Sequence, residues 1–346
     1  MVSSAPPADS ASEEVARSAY LIVFVPALDE ERTVGSVVRG VPQSIPGVGL
    51  IEVVVVDDGS SDATAERAAE AGALVIRHPT SQGVGAAFHS ALAHGIDRGA
   101  DLILSIDADG QFDPADIPKL VAPVVAGEAD LATASRFADP ALVPEMPWAK
   151  RWGNRVMSRL ISRLAGQTLY DVSCGMRCYS RRAALQLHLL GRFTYTQEVV
   201  LNLAFKGLRI VEVPIRVRGE REFGASRVAG NLWQYAWRTV RIILRSYRDY
   251  YPLRFFGGIA LALLVPAVLL AAFLLFHYLA TGAFSPQKWA GFTALGLGVI
   301  ALLVLHVGLI GDMLGRHRIY LEELLYRQRS DIRQERNGGR RERDFD

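Results

Sequence analysis

Three short acidic turns hold the residues best suited to chemistry: Pro26-Ala27-Leu28-Asp29-Glu30, Asp57-Asp58-Gly59-Ser60 and Asp107-Ala108-Asp109-Gly110-Gln111. Asp107 and Asp109 are two residues apart, which on extended backbone directs both side chains to the same side, and Gln111 continues that row. Hard oxygen donors of this kind suit Mg²⁺ or Mn²⁺, and such an ion could bridge a diphosphate and neutralise charge on a leaving group. An isolated Asp-x-Asp is also a common solvated turn or helix cap, so its place in the chain decides. In the second turn Gly59 permits a tight bend, and Ser61 or Asp62 can cap the next helix. Capping and ligand binding can coexist there.

Each turn comes directly after an apolar, β-branched run. Such runs occur at Tyr20–Pro26, Ile51–Val56, Ala73–Arg77, Leu102–Ile106, Asp130–Ala134 and Arg209–Val217. Between most of them lie helical patterns at Glu31–Arg39, Ala63–Ala71, Val84–Arg98, Pro114–Val125, Trp148–Leu164 and Thr196–Lys206. The alternation predicts an α/β domain, a mostly parallel sheet flanked by helices on both faces. Ligands of such sheets bind beyond the carboxyl ends of the strands, where the acidic turns fall. Gly83-Val84-Gly85-Ala86-Ala87-Phe88 has Phe88 where a dinucleotide fingerprint needs its third glycine, and reads as a helix start.

Composition distinguishes this domain from the C-terminal third of the chain. Of 346 residues, 50% are hydrophobic and 21% charged, and 38 basic residues nearly balance 36 acidic ones. A net charge of +2 excludes a polycation built to neutralise nucleic acid. The two cysteines, Cys174 and Cys178, are too few for a disulfide framework and lack the partners of a zinc site, which points to a reducing compartment. No Asp, Glu, Lys or Arg occurs from Phe255 to Gln287, and a second uncharged run extends from Trp289 to Gly311. Each run exceeds the roughly 20 residues that cross a bilayer as a helix. Arginines flank the pair (Arg238, Arg241, Arg245, Arg248 and Arg254 before it, Arg316, Arg318, Arg327 and Arg329 after it), so the positive-inside rule predicts a hairpin with both termini cytoplasmic.

Ahead of the first span, Trp233, Trp237, Val240, Leu244, Tyr247 and Tyr251 recur at helical steps beside Arg238, Arg241, Arg245 and Arg248. An aromatic and apolar stripe next to an arginine stripe predicts a helix lying in the lipid interface, holding the active site close to the membrane. The expected organisation is a disordered leader at 1–19, a catalytic domain at 20–230, the amphipathic interfacial helix at 231–251, two membrane spans within 252–314 (about 255–280 and 289–311) and a charged cytoplasmic tail at 315–346. The leader has no signal-peptide pattern. The part of the tail from Ser330 to Asp346 reads as solvated and disordered.

Together the motifs resemble the inverting glycosyltransferases of family 2, in the branch of dolichyl-phosphate mannose synthase and polyprenyl-phosphate glycosyltransferases. The resemblance rests on Asp57 to Thr64, on Asp107 to Gln111, on Ser135-Arg136, on Asp171-Val172-Ser173-Cys174-Gly175-Met176-Arg177, on Glu198, on Glu212-Val213-Pro214-Ile215 and on Arg221-Glu222-Phe223-Gly224-Ala225-Ser226-Arg227. It implies a GT-A, Rossmann-like fold in a two-span protein of the bacterial plasma membrane. It also implies a nucleotide sugar (a GDP- or UDP-hexose) as donor, Mg²⁺ or Mn²⁺ as cofactor, and a polyisoprenyl phosphate as acceptor of a single hexose. Homo-oligomers, tetramers among them, fit the family.

The resemblance also implies site residues. Pro26, Leu28, Glu30 and Asp58 would line the base and ribose pocket. Asp107, Ala108, Asp109 and Gln111 would hold the metal and diphosphate. Arg136, Arg151, Arg155 and Ser226 would meet the acceptor phosphate, and Arg221 and Arg227 would close over the donor diphosphate. Asp171 or Glu198 would be the base or would position the acceptor. Asp29, Cys174, Met176 and Arg227 depart mildly from the family's usual residues. A processive polysaccharide synthase is the alternative, although Lys150-Arg151-Trp152 lacks the Gln of the Gln-x-x-Arg-Trp motif. A non-catalytic membrane scaffold is the third reading.

Overall fold

The computed structural model describes residues 18–146, 148–187, 196–218 and 232–341. The chain forms two compact units that part between Leu232 and Trp233 and again between Gln334 and Glu335.

The first unit is built on seven strands, β1 (Ala19–Ala27), β2 (Val48–Asp57), β3 (Leu74–Arg77), β4 (Leu102–Ser105), β5 (Leu131–Ser135), β6 (Arg177–Ser180) and β7 (Ile210–Pro214), in the order β3-β2-β1-β4-β6-β5-β7. All neighbours run parallel except β6, which is antiparallel to both β4 and β5. Among the described residues seven α-helices accompany the sheet: α1 (Val34–Gly40), α2 (Thr64–Glu70), α3 (Val84–Arg98), α4 (Ile117–Val125), α5 (Trp148–Ala165), α6 (Arg181–Gln186) and α7 (Thr196–Phe205).

Strand periodicity of two explains why both faces are covered. Leu21, Val23 and Val25 of β1 pack with Val34, Val37 and Val38 of α1 and with Leu120 and Val124 of α4 in one core. The alternate residues Ile22 and Phe24 are equally buried on the other side, where Phe24 meets Phe88 of α3 edge-on at 5.5 Å and Phe88 meets Tyr179 of β6 at 5.7 Å. The chain leaves β1 towards β2 and crosses back to β4, so β1 and β4 flank the point where the strand order reverses. A crevice for ligand opens at such a point.

Strand β6 and helix α6 lie where the sequence pattern predicts no element. β6 is four residues long and begins with a fully buried arginine, so it carries no apolar run. Ser180 then accepts from the Ala183 N–H as the N-cap of α6.

The second unit holds α8 (Leu232–Tyr250) from Trp233 on, α9 (Pro252–Thr281), and α10 (Lys288–Arg341) as far as Gln334. Pro252 opens α9 and holds Tyr251 out of helical geometry (φ −131°, ψ 56°), which separates α8 from α9. On α8, Trp237, Val240 and Leu244 are exposed. Helices α9 and α10 are long and apolar enough to cross a membrane. Their facing seam is made of small residues: Ala260 and Ala267 of α9 and Ala290, Ala294 and Ala301 of α10 are buried, whereas Leu269, Phe276, Phe292 and Leu303 are exposed. A Cβ on Gly308 would meet Phe256 at 3.0 Å, and one on Gly291 would meet Leu274 at 2.7 Å, which fixes the pair as an antiparallel hairpin.

The disorder expected for Ser330–Asp346 does not hold as far as Arg341, because α10 continues through that point; residues 342–346, like 1–17 of the leader, lie outside the described residues. Leu, Arg, Glu and Gln favour helix, and pairs at four-residue spacing (Arg316 with Asp312, Arg318 with Glu322, Arg327 with Glu323) carry it into solvent.

Candidate active site

The loops after β1 and β2 are zipped together by hydrogen bonds. Asp29, the one described non-glycine residue with positive φ (46°), donates its N–H to Ser60 Oγ at 2.9 Å, and its Oδ1 accepts from the Ser61 N–H at 2.8 Å. The Glu30 N–H donates to Thr64 Oγ1 at 2.8 Å. Pro26 is near the end of β1, opposite Val56, and Leu28 and Glu30 follow it along a loop whose shape is set by the neighbouring turn. Gly59 is required in that turn: its φ is +78°, and a Cβ would stand 2.7 Å from the Thr80 carbonyl carbon.

Asp58 is almost wholly buried and organises the start of α3. Its carboxylate accepts from His78 Nδ1 (2.7 Å), Ser81 Oγ (2.9 Å), and the N–H groups of Gln82 (3.0 Å) and Gly83 (2.8 Å). Burial alone would raise its pKa; these donors, led by the Gln82 N–H, outweigh it and hold the carboxyl below the usual carboxylate range. His78 passes the contact on, its Nε2 lying 2.9 Å from Ser90 Oγ. Asp57 Oδ1 accepts from the Ser60 N–H, and Arg77 Nε lies 3.1 Å from Asp57 Oδ2.

The acidic turn after β4 meets the loop that leads into β6. A Cβ on Gly175 would stand 2.6 Å from Asp107 Oδ2, so only glycine lets this loop lie against the carboxylate. Asp109 is buried and its Oδ1 accepts from the Gln111 N–H at 3.1 Å. Gln111 is tied to the segment after β7: its Nε2 donates to the Arg218 carbonyl at 3.2 Å, and the Arg218 N–H donates to the Gln111 carbonyl at 3.1 Å. Ala108 is buried between them.

A second cluster forms at the ends of β5, β6 and β7. Arg136 grips the fully buried Asp171 in a bidentate pair, Nε to Oδ2 at 2.6 Å and Nη2 to Oδ1 at 2.9 Å, and Nη2 also reaches Ser173 Oγ at 2.8 Å. Nη1 makes no hydrogen bond among the described residues. Burial disfavours the guanidinium charge, but the hydrogen bonds and charge of Asp171 outweigh it, with smaller help from Asp107, and hold the group more firmly protonated than usual. Behind the pair, Glu212 accepts from the N–H groups of Asp171 (2.6 Å) and Tyr170 (2.8 Å). Burial pushes the Glu212 carboxyl up; those N–H groups oppose the rise and the Asp171 charge adds to it.

The other expected residues divide. Arg151 and Arg155 are on the exposed side of α5, while its inner residues Asn154 and Ser158 bond the loop of Tyr170 to Ser173. Glu198 is half-buried in the first turn of α7. Arg221, Ser226 and Arg227 lie outside the described residues. Sequence reasoning gave no role to His78, Glu212 or Arg177. Arg177 is fully buried and donates to the Thr196 carbonyl (2.7 Å) and the Val172 carbonyl (3.1 Å), fastening the Asp171 loop to the start of α7. A charged residue inside the short stretch 176–179 was the available signal. Among the described residues no three His, Cys, Asp or Glu side chains form a metal cage.

Likeness to other proteins bears on this geometry. Residues 22–187 match the model of Glycosyl transferase family 2. The chain is 30% identical to the polyprenol monophosphomannose synthase of Mycolicibacterium smegmatis over 220 residues, which are 61% of this chain and 81% of that protein. The chain belongs to glycosyl transferase family 2. A second relative is the UDP-N-acetylglucosamine–dolichyl-phosphate N-acetylglucosaminyltransferase of Methanococcus voltae, 30% identical over 217 residues, which are 57% of this chain and 84% of the relative. Among solved structures, glucosyl-3-phosphoglycerate synthase from Mycobacterium tuberculosis, in complex with Mn²⁺, UDP and glucosyl-3-phosphoglycerate, superposes with a TM-score of 0.53 at 23% identity, covering 70% of this chain and 86% of that one. That likeness establishes the shared GT-A type of fold. The protein is a family 2 glycosyltransferase.

Proposed function

We propose that this glycosyltransferase moves one hexose from a GDP- or UDP-sugar to the phosphate of a polyisoprenyl phosphate, with inversion, at the cytoplasmic face of a bacterial plasma membrane. The observation that carries this reading is the meeting of the Asp107 turn with the Arg136 cluster across Gly175. A carboxylate pair suited to a metal-bound diphosphate stands beside a cation suited to a second phosphate. The two named relatives act on polyprenol or dolichyl phosphate by their names, and the two membrane-length helices supply an anchor for an enzyme with a lipid acceptor.

The donor set supports a divalent cation. Asp107 and Asp109 are hard oxygen ligands, too few to enclose an ion alone, which suits Mg²⁺ or Mn²⁺ completing its sphere with diphosphate oxygens and water. Bound there, the ion would neutralise charge on the departing nucleoside diphosphate. The loops of Pro26 to Glu30 and of Asp58 would shape the base and ribose pocket. Gln111, with its amide nitrogen committed to Arg218, leaves its carbonyl oxygen to face the donor.

The acceptor phosphate monoester has a second pKa of about 6, so it is mostly dianionic at pH 7 and needs no deprotonation. One of its oxygens forms the new bond to the anomeric carbon as the bond from that carbon to the leaving diphosphate oxygen breaks. Arg136 offers the acceptor its Nη1 edge. Because both Asp171 oxygens are engaged by Arg136 and Ser173, Asp171 serves as a positioning residue that aims the guanidinium.

The test is incubation of the purified chain with undecaprenyl or dolichyl phosphate, Mg²⁺ or Mn²⁺ and a panel of GDP- and UDP-hexoses, followed by mass spectrometry of the lipid. A single added hexose that disappears with EDTA is the expected result. Release of free sugar, or a polymer, overturns the reading.

A further inference from the structure

Helix α10 keeps an apolar side well past its membrane-length segment. The uncharged run ends at Gly311, yet Leu314 (63% exposed), Leu321 (60%) and Leu324 (63%) follow it with their side chains uncovered. At a helical rise of about 1.5 Å per residue, Leu324 stands about 20 Å beyond Gly311, out of reach of lipid tails. Together with His317 and Gln328, which are also exposed, the leucines fill a heptad repeat: Leu314, Leu321 and Gln328 at a, His317 and Leu324 at d. Ile300, Leu303, Val307 and Ile310, all exposed, continue the same repeat back into the membrane-length part.

The neighbouring flank of α10, at b and e, is occupied by the chain itself. Ala301 is buried, Gly308 and Gly311 leave room for Phe256 and Pro252, and the Arg318 guanidinium lies 3.9 Å from the centroid of the Tyr250 ring. Helices α8 and α9 therefore approach α10 from one side and leave its a and d row bare. Large apolar side chains in a continuous exposed row mark an interaction surface.

We propose that this row is a self-association seam, along which α10 pairs in parallel with α10 of a second copy of the chain from Ile300 to Gln328. The proposal rests on the reading of α9 and α10 as membrane spans and goes beyond it by giving the extension of α10 a partner. Copies inserted in one bilayer share an orientation, so identical helices meet in parallel with like positions at one level, the arrangement in which an a and d repeat is complementary to itself. The charges agree with that pairing. Position g of one helix meets e of the other, which sets Met313 against Arg318 and Tyr320 against Leu325, and no like charges face each other. Glu322 and Glu323 are engaged within their own helix by Arg318 and Arg327. His317 and Gln328 would each face their own counterpart, and an imidazole or an amide can both donate and accept, so these two layers fix the register. A nucleic acid backbone offers the leucine row no apolar partner.

The experiment places one cysteine at a time in the full chain, held in the membranes in which it is expressed, and oxidises them with copper phenanthroline. Leu314→Cys, Leu321→Cys and Leu324→Cys test the seam; Arg316→Cys and Glu323→Cys, at c, are the controls. Cys174 and Cys178 are buried, so the unsubstituted chain gives the blank. The expected result is a covalent dimer at 314, 321 and 324 in several-fold higher yield than at 316 and 323, unchanged when added lipid dilutes the chain. Equal yields at all five positions, or none at any, overturn the proposal. An adduct whose mass is not twice that of the chain overturns it in favour of a different protein. Retention in carbonate-washed membranes and hexose transfer, read on the same samples, separate loss of this seam from loss of the anchor or of the transferase reading. As a second measurement, Leu321→Glu combined with Leu324→Glu converts the reconstituted dimer to monomer with the unfolding temperature of the catalytic domain unchanged; a persistent dimer overturns the seam.

Discussion

The two walls of the active site stabilise buried carboxylates by different means. On the wall proposed to hold the donor, Asp58 is surrounded by N–H groups, a hydroxyl and a neutral-capable imidazole, so its charge is met largely by fixed dipoles. On the wall proposed to hold the acceptor, Asp171 is met by a full positive charge, and Glu212 holds the loop from behind. The first arrangement builds a rigid pocket whose shape depends on chain geometry. The second stores a cation, proposed above to meet phosphate, and its stability depends on both partners being present.

Asp109 lies between the two walls and gives the largest expected effect. Asp109→Asn lowers transfer by roughly 10²–10³-fold without changing the fold, since it removes charge stabilisation of the leaving group; a quantitative assay at saturating Mn²⁺ checks it, and full activity would sink the metal assignment. Arg136→Ala leaves Asp171 buried without its cation and destabilises the unit by about 3 kcal/mol. Thermal unfolding followed by a thiol-reactive dye reads this directly, because Cys174 and Cys178 are buried and burial pushes the Cys174 thiol up to about 12, which keeps it unreactive until the fold opens. Asp171→Ala together with Arg136→Ala recovers part of that loss if the pair is the cause.

Gly175→Ala pushes a methyl group against Asp107 and reduces turnover about tenfold while also weakening donor binding, a double effect visible in kcat and in the donor KM. Asp58→Asn costs about 1–2 kcal/mol at neutral pH, as several buried donors lose a charged acceptor. The sign of its pH dependence follows from the lowered pKa: the stabilisation by Asp58 is complete above the ordinary value of 3.8 and is lost as pH falls through the folded value. Melting temperatures between pH 3 and 7 should therefore fall less steeply for Asp58→Asn than for the unsubstituted chain. At the small end, Arg67→Ala breaks only an exposed ion pair with Glu70 and shifts stability by less than about 0.5 kcal/mol, which sets the baseline for the rest.

The donor wall was legible in the sequence because its chemistry is local. Asp58, the glycine turn and the serines that bond Asp29 are consecutive, and the apolar runs before them announce β1, β2 and β4; neither serine caps α2, whose N-cap is Ala63. The acceptor wall was less legible because its contacts are tertiary. Arg136 and Asp171 are 35 residues apart, and nothing in their spacing tells that one occupies the other. β6 escaped because a buried arginine stands where a strand usually shows an aliphatic residue. The reach of α10 past Ser330 was hidden by a charge density that describes solvation and is neutral towards helix.

The place of β6 in the sheet bears on how the chain assembles during synthesis. β4 and β5 do not pair with each other; β4 pairs with β1 and β6, and β5 with β6 and β7, so β6 is the strand that joins them. Until residues 177–180 emerge, β4 offers an open hydrogen-bonding edge, and β5 lacks the strand that joins it to β4. Open edges of this kind recruit wrong partners and chaperones, and closing them across a long stretch of chain is slow. A nascent chain stalled before residue 176 should thus have its donor loops formed and its acceptor wall absent.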